Sequence, residues 1–468
     1  MRFNIFLKRQ NMVTTAMPHG LIRKLTLGLA SSLTTWLALT SPARALDNHI
    51  DTIRADAPEL AQYGKLSVGV KTIQLINPKQ LDIVKAKAGE PTPTYDRPLT
   101  VEVWYPAQPA DAASVATAGQ YRVFARDPKT EVTLYGKGVR DAQPDASSGP
   151  YPLLIISHGY PGNRYLLSHL GENLASKGYV VASIDHTDST YNDQAAFGST
   201  LLNRPLDQLF VLNQMAKLNA GDAGDAIKGA LKGMVNADIT GLIGYSMGGY
   251  GLINTIGGGF AASAVTSTLA PPNGVLAARQ AGNAAYTATM DSRIKAAVAF
   301  APWGWNRGFW DNAGLAGIKT PVFFVAGSVD DVSGYAPGIR NIYEGSVNAP
   351  RYLLTFENAN HNAGAPMPAP KESWVRVPHL PVIPAAHYID AVWDNARMNN
   401  IAQHFATAFL AKYLKNDASM DRYLNLIENA KDGKWSAETD GKFKADHTYW
   451  NGFPNRTAAG LRLEQRKP

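Results

Sequence analysis

Six short apolar runs, each stopping at small or polar residues, constrain this chain more than any other feature. They are "YPLLIISHGY" from Tyr151, "YVVASIDH" from Tyr179, "DITGLIGYS" from Asp238, "IKAAVAFAP" from Ile294, "TPVFFVAGS" from Thr320 and "RYLLTFENANH" from Arg351. A continuous apolar run of this length reads as a strand buried on both faces, the signature of a parallel sheet. Helix-length patterns separate the runs, at 164–177, 205–218 and after Ser246. Strand and helix alternating in this way predict right-handed βαβ units and an open, doubly wound, mostly parallel sheet.

The flanks are read against that core, expected at 151–415. Within 46–150, "LSVGVKTIQLIN" and "LTVEVWYP" predict strands packing on the core sheet, "AGEPTPTYDRP" a loop, and 107–149 a surface wrap. The stretch 257–291 is rich in Gly, Ala, Ser and Thr. It is too long for a plain connection, so a small lid-like insertion is expected there. "AVWDNARMNNIAQHFATAFLAKYL" predicts a long packing helix, and 416–468 a C-terminal extension that packs back.

The first 45 residues carry Arg23 and Lys24, an apolar run from Leu25 to Leu39, and "SPARA". That pattern predicts a cleavable signal peptide cut after Ala45, hence a secreted or periplasmic protein with no stable membrane anchor. Translation starts at Met1, Met12 and Met17 are all compatible with it. Six of the 45 basic residues lie in this segment, leaving 39 against 38 acidic ones. No basic surplus remains to attract nucleic acid. There is no cysteine, so neither a disulfide nor a thiol nucleophile is available.

Ligands of open parallel sheets bind beyond the carboxyl ends of the strands. Ser246 stands there in Gly-Tyr-Ser-Met-Gly, between an expected strand and an expected helix. Small neighbours permit the sharp turn that exposes a serine hydroxyl, which becomes a nucleophile once a base takes its proton. His361, after the last run, is the expected base, ahead of His379, His387 and His404. Asp330, in "AGSVDDVSG", is the expected acid that orients the imidazole, with Asp331 the alternative and Glu357 a distant third. The backbone N–H groups of Met247 and Tyr160 are the expected oxyanion hole. "DHTDSTYND" shows no ligand spacing and reads as a polar loop, so neither metal nor cofactor is expected.

The chain order Ser, Asp, His resembles that of the α/β-hydrolase fold. Within it, "HGYPGNRYLLSHLGENLASKGYVVASIDHTDS" is similar to platelet-activating-factor acetylhydrolases and to dienelactone-hydrolase-like bacterial serine esterases. "DRPLTVEVWYP" and "NARMNNIAQHFATAFLAKYL" resemble the bacterial relatives as well. Dienelactone hydrolases use cysteine, which this chain lacks. In the animal acetylhydrolases the acid follows the strand after the nucleophile helix. Here that strand ends "AFAPWGWN", without an acid, so the acid moves one strand on to Asp330. The resemblance implies a serine esterase working through an acyl-enzyme, and an exported, cysteine-free chain with an aromatic wall extends the expected substrates to aliphatic or aromatic polyesters. Acyl transfer, lactone or amide cleavage and phospholipid deacylation stand as alternatives for the same triad. A noncatalytic protein on this scaffold would be expected to lack a triad member. "PWGWNRGFW" places Trp303 and Trp305 as the expected aromatic wall of the substrate pocket.

Overall fold

The computed structural model describes residues 48–109, 118–221 and 231–468. The expected signal peptide, 1–45, lies outside the described residues. Two long strands, β1 (Ser67–Leu81) and β2 (Thr94–Ala107), pair antiparallel. The expected loop between them is shorter than read, because β2 already starts at Thr94 and buries Arg97. Inside the expected surface wrap, β3 (Gln120–Phe124) and β4 (Glu131–Tyr135) form a separate two-stranded ribbon, followed by the short β5 (Val139–Arg140).

All six apolar runs are strands: β6 (Tyr151–Ser157), β7 (Val180–Asp185), β8 (Val235–Tyr245), β9 (Ile294–Phe300), β10 (Val322–Gly327) and β11 (Arg351–Phe356). A last strand, β12 (Leu461–Arg466), adds antiparallel to β11. The main sheet runs β12-β11-β10-β9-β8-β6-β7-β2-β1-β5, and the block from β7 to β11 is parallel throughout. Every residue of β10 and of β11 is buried, as continuous apolar runs require.

The chain winds from β6 to β7 on one side, then crosses back over β6 to place β8 on the other. That reversal puts a topological switch point at the carboxyl ends of β6 and β8, where an open α/β sheet leaves a crevice. Helix α1 (Ser168–Ala175) shares one sheet face with the long C-terminal helix, while α2 (Phe197–Ala220) and α3 (Met247–Thr255) pack together on the other. The C-terminal helix, α4 (Asn395–Leu414), lies across β8, β9 and β10.

Helix α2 begins eight residues before the sequence pattern suggested and carries Pro205 in its interior. Proline has no N–H, so the Leu201 carbonyl loses its helical partner. The Tyr250 hydroxyl of α3 donates to that carbonyl at 3.0 Å and so ties the two helices together. The segment 257–291 folds into short helical turns anchored at the end of α3, where Arg279 and Tyr286 donate to Asn254.

Candidate active site

Strand β8 ends and α3 begins at Ser246, whose backbone takes φ 53° and ψ −111°. A non-glycine residue there costs on the order of 1–3 kcal/mol, which the surroundings must over-determine. Two glycines make the turn possible. A side-chain methyl at Gly244 would lie 2.4 Å from the Gly248 carbonyl oxygen, and one at Gly248 would lie 1.9 Å from that of Ser157. The Ser246 N–H donates to the Phe300 carbonyl at 2.9 Å and its carbonyl accepts from Trp303 at 3.2 Å, which fixes the turn from both sides.

The Ser246 hydroxyl meets His361 Nε2 at 2.9 Å, and His361 Nδ1 meets Asp330 Oδ2 at 2.8 Å. With Nδ1–H donating to the carboxylate, Nε2 is free to accept the serine proton. The other oxygen of Asp330 accepts from the N–H groups of Val332 and Ser333, at 2.9 and 2.8 Å, so the buried carboxylate is fully held. Asp331 is exposed, and its N–H donates to Asn360 Oδ1, which also takes the His361 N–H. Asp331 thus braces the loop that carries His361, while among the described residues the carboxylate bonded to the imidazole is that of Asp330. Glu357 pairs with Arg462 at the sheet edge.

The other histidines are occupied elsewhere. His379 pairs with Asp127, and His404 accepts from the Leu60 N–H inside α4, where burial pushes it down to about 3. His387 does line the cleft, yet burial, with Arg126 and His361 nearby, also holds it at about 3 and hence neutral.

After β6 the chain runs His158-Gly159-Tyr160 across the elbow. A methyl on Gly159 would come 3.5 Å from Ser246 Cβ. Among the described residues, the N–H groups of Tyr160 and Met247 donate to no protein acceptor. Met247 opens α3, where backbone N–H groups and the helix dipole favour negative charge.

The cleft over Ser246 has a volume of about 470 Å³. Its walls come from Tyr160, Tyr245, the Asn360–Asn362 loop and the segment 386–391, which sequence reasoning missed. Trp303 and Trp305 do not line it. Trp303 is buried against Phe197, Tyr250 and Phe309, and Trp305 packs at the edge of the same core. Nor does 257–291 reach the cleft as a lid.

"DHTDSTYND" is not a polar rim loop. Asp185 pairs with Arg164, His186 bonds Asp207 and Ser157, and Asp188 pairs with Arg97. Asp185, His186 and Asp188 are tied to residues distant in the chain, while Asp193 accepts the Asp188 N–H within the segment, and none of this has a local sequence signal.

Comparison with known proteins agrees with this architecture. A family model described as platelet-activating factor acetylhydrolase, isoform II, matches residues 61–209. The chain is 21% identical to Cutinase 2 of Thermobifida cellulosilytica over 317 residues, 68% of this chain and 88% of that one. It is 23% identical to the bis(hydroxyethyl) terephthalate hydrolase of Streptomyces coelicolor, over 54% of this chain and 64% of the other. A ferulic acid esterase from Streptomyces cinnamoneus shares its fold, with a TM-score of 0.52 and 20% identity over 78% of this chain and 96% of that one. The fold is that of the α/β-hydrolases.

Proposed function

We propose that this α/β-hydrolase-fold chain is a serine carboxylic ester hydrolase acting through Ser246, His361 and Asp330. The observation that carries the reading is the hydrogen-bonded chain from the Ser246 hydroxyl through His361 to Asp330, at 2.9 and 2.8 Å, on a strained turn that opens into a cleft. His361 takes the serine proton as Oγ attacks the ester carbonyl. The N–H groups of Tyr160 and Met247 receive the oxyanion, and each such donor is worth roughly 10²–10³ in rate. The imidazolium, stabilised by Asp330, returns its proton to the leaving alkoxide as the acyl–oxygen bond breaks. Water then adds to the acyl-enzyme, with His361 as its base, and releases the acid.

The substrate class is esters of small acyl groups, extending to aliphatic and aromatic polyester chains. The names of the cutinase and terephthalate-hydrolase relatives support that extension, as do the apolar Val332, Ala386, Ile389 and Ala391 along the cleft. The charged, apolar and "SPARA" segments of the first 45 residues support export. Among the described residues no helix is long and apolar enough to cross a membrane. The family-model match favours one second reading, deacylation of a phospholipid carrying a short acyl chain.

A series of p-nitrophenyl esters of increasing acyl length, run beside bis(hydroxyethyl) terephthalate and a short-acyl phospholipid, tests the assignment. Turnover is expected in wild type and not in Ser246→Ala. Failure of wild type on every ester, or full rate in the variant, contradicts it.

A further inference from the structure

The peptide geometry beside Tyr160 points to a residue of α2 that aims the oxyanion loop. We propose that Arg204 is a positioning residue that turns the Tyr160 N–H toward the cleft, an inference that rests on the ester-hydrolase reading of that site.

Arg204 is fully buried beneath the loop. Its Nη1 donates to the His158 carbonyl, and its Nη2 donates to the Gly159 carbonyl at 3.0 Å and to Ser189 Oγ at 2.6 Å. The Gly159 carbonyl and the Tyr160 N–H belong to one peptide unit, which is trans. In a planar trans peptide those two groups point in opposite directions. A guanidinium that draws the Gly159 oxygen into the protein therefore directs the Tyr160 N–H the other way. The preceding peptide is held identically through the His158 oxygen. His158 Nδ1 adds a second donor to the Gly159 oxygen, at 2.7 Å, and its Nε2 accepts the His186 N–H at 3.3 Å.

The charges around Arg204 are arranged so that its donors stay on the loop. Asp207, one turn further along α2, is taken at 2.9 Å by both Nε and Nη2 of Arg97, and its Oδ2 also bonds His186 Nδ1. Arg97 also pairs with Asp188 at 3.1 Å. The cluster balances two cations with two carboxylates, yet among the described residues no carboxylate bonds Arg204 itself. Removing a guanidinium from water without a bonded counter-ion is costly. What that cost secures here is the orientation of two consecutive peptide units beside the nucleophile. Helix packing alone does not need it, since α2 and α3 are already joined by Tyr250 on Leu201 and by Gln208 on Gly248.

The test compares an ester with its thionoester in wild type, Arg204→Met and Arg204→Lys, each confirmed folded by its melting curve. A developing sulfur anion accepts hydrogen bonds weakly, so the thionoester reports on everything except the oxyanion hole. In Arg204→Met, kcat for the ester should fall about 10²-fold with KM little changed, while the thionoester rate falls far less. Arg204→Lys keeps the charge but loses the fork that spans two carbonyls, and should lie between. It carries the test if the methionine variant does not fold. Equal losses on both substrates, or no loss on either, overturn the proposal. Ser246→Ala in the same assay separates the two levels. If it stays active, the underlying reading fails as well, whatever Arg204 does.

Discussion

The molecule holds two Ser–His–Asp relays of nearly the same dimensions. Ser246, His361 and Asp330 are joined at 2.9 and 2.8 Å, through Nε2 and Nδ1 of the imidazole. Ser157, His186 and Asp207 are joined at 2.8 and 2.8 Å, through the same two atoms. They differ in what surrounds them. Ser246 projects from a strained turn into a cleft, whereas Ser157 ends a buried strand and is 1% exposed. Asp330 is bonded within its own turn, whereas Asp207 is gripped by Arg97. Burial, with Arg204 close by, pushes His186 down to about 3, so it cannot take a proton at neutral pH. A triad in the geometric sense is thus not a site. Access for an acyl carbon is needed as well, and of the two relays only the first opens into a cleft.

The largest effect that distinguishes the relays is removal of each hydroxyl. Ser246→Ala should lower kcat by about 10⁴–10⁶-fold with stability close to wild type, measured by ester turnover and by thermal melting. Ser157→Ala should keep kcat within about tenfold but lose roughly 1–3 kcal/mol of stability, because His186 Nε2 is left buried without a donor. Next comes the acid. Asp330→Asn should cost about 10⁴-fold in kcat by favouring the wrong imidazole tautomer, while Asp331→Asn stays within about tenfold in the same assay.

Asp207→Asn should act on stability rather than on the pH–rate profile. Leaving the buried Arg97 with Asp188 as its one remaining carboxylate should cost up to about 3–5 kcal/mol in a denaturant titration. The smallest effect per group is the pH dependence of folding. His169, His186 and His404 are buried and held at about 3, below the 6.5 of the unfolded chain. Between those values the unfolded chain binds protons that the folded one refuses. Stability is therefore full above about pH 6.5 and falls as the pH drops toward 3, which melting curves across that range would show.

The parallel core was legible because strands such as β10 and β11 are buried on both faces and must be continuously apolar. Ser246, Asp330 and His361 stood out because each follows such a strand. The ribbon β3–β4 was missed because its strands are short and alternate between outward-facing and buried residues, a weak signal inside a polar stretch. The start of α2 was misplaced because Pro205 reads as a first-turn proline when it is in fact interior, its lost bond replaced by Tyr250. The cleft wall at 386–391 and the Arg97–Asp207–His186 cluster depend on residues far apart in the chain, and no local pattern marks them. Trp303 shows the converse. A dense aromatic stretch looks like a binding wall in sequence, but Trp303 packs into the core against Phe309 of the same stretch and against Phe197 and Tyr250 of the neighbouring helices.

Labelling with a phosphonofluoridate tests the central distinction most directly. The reagent phosphonylates only a serine that a nearby base has activated, and intact mass with peptide mapping locates the adduct. A single adduct is expected on Ser246, lost in His361→Ala, and none on Ser157. An unmodified Ser246, or an adduct on Ser157 in the folded protein, would contradict that distinction.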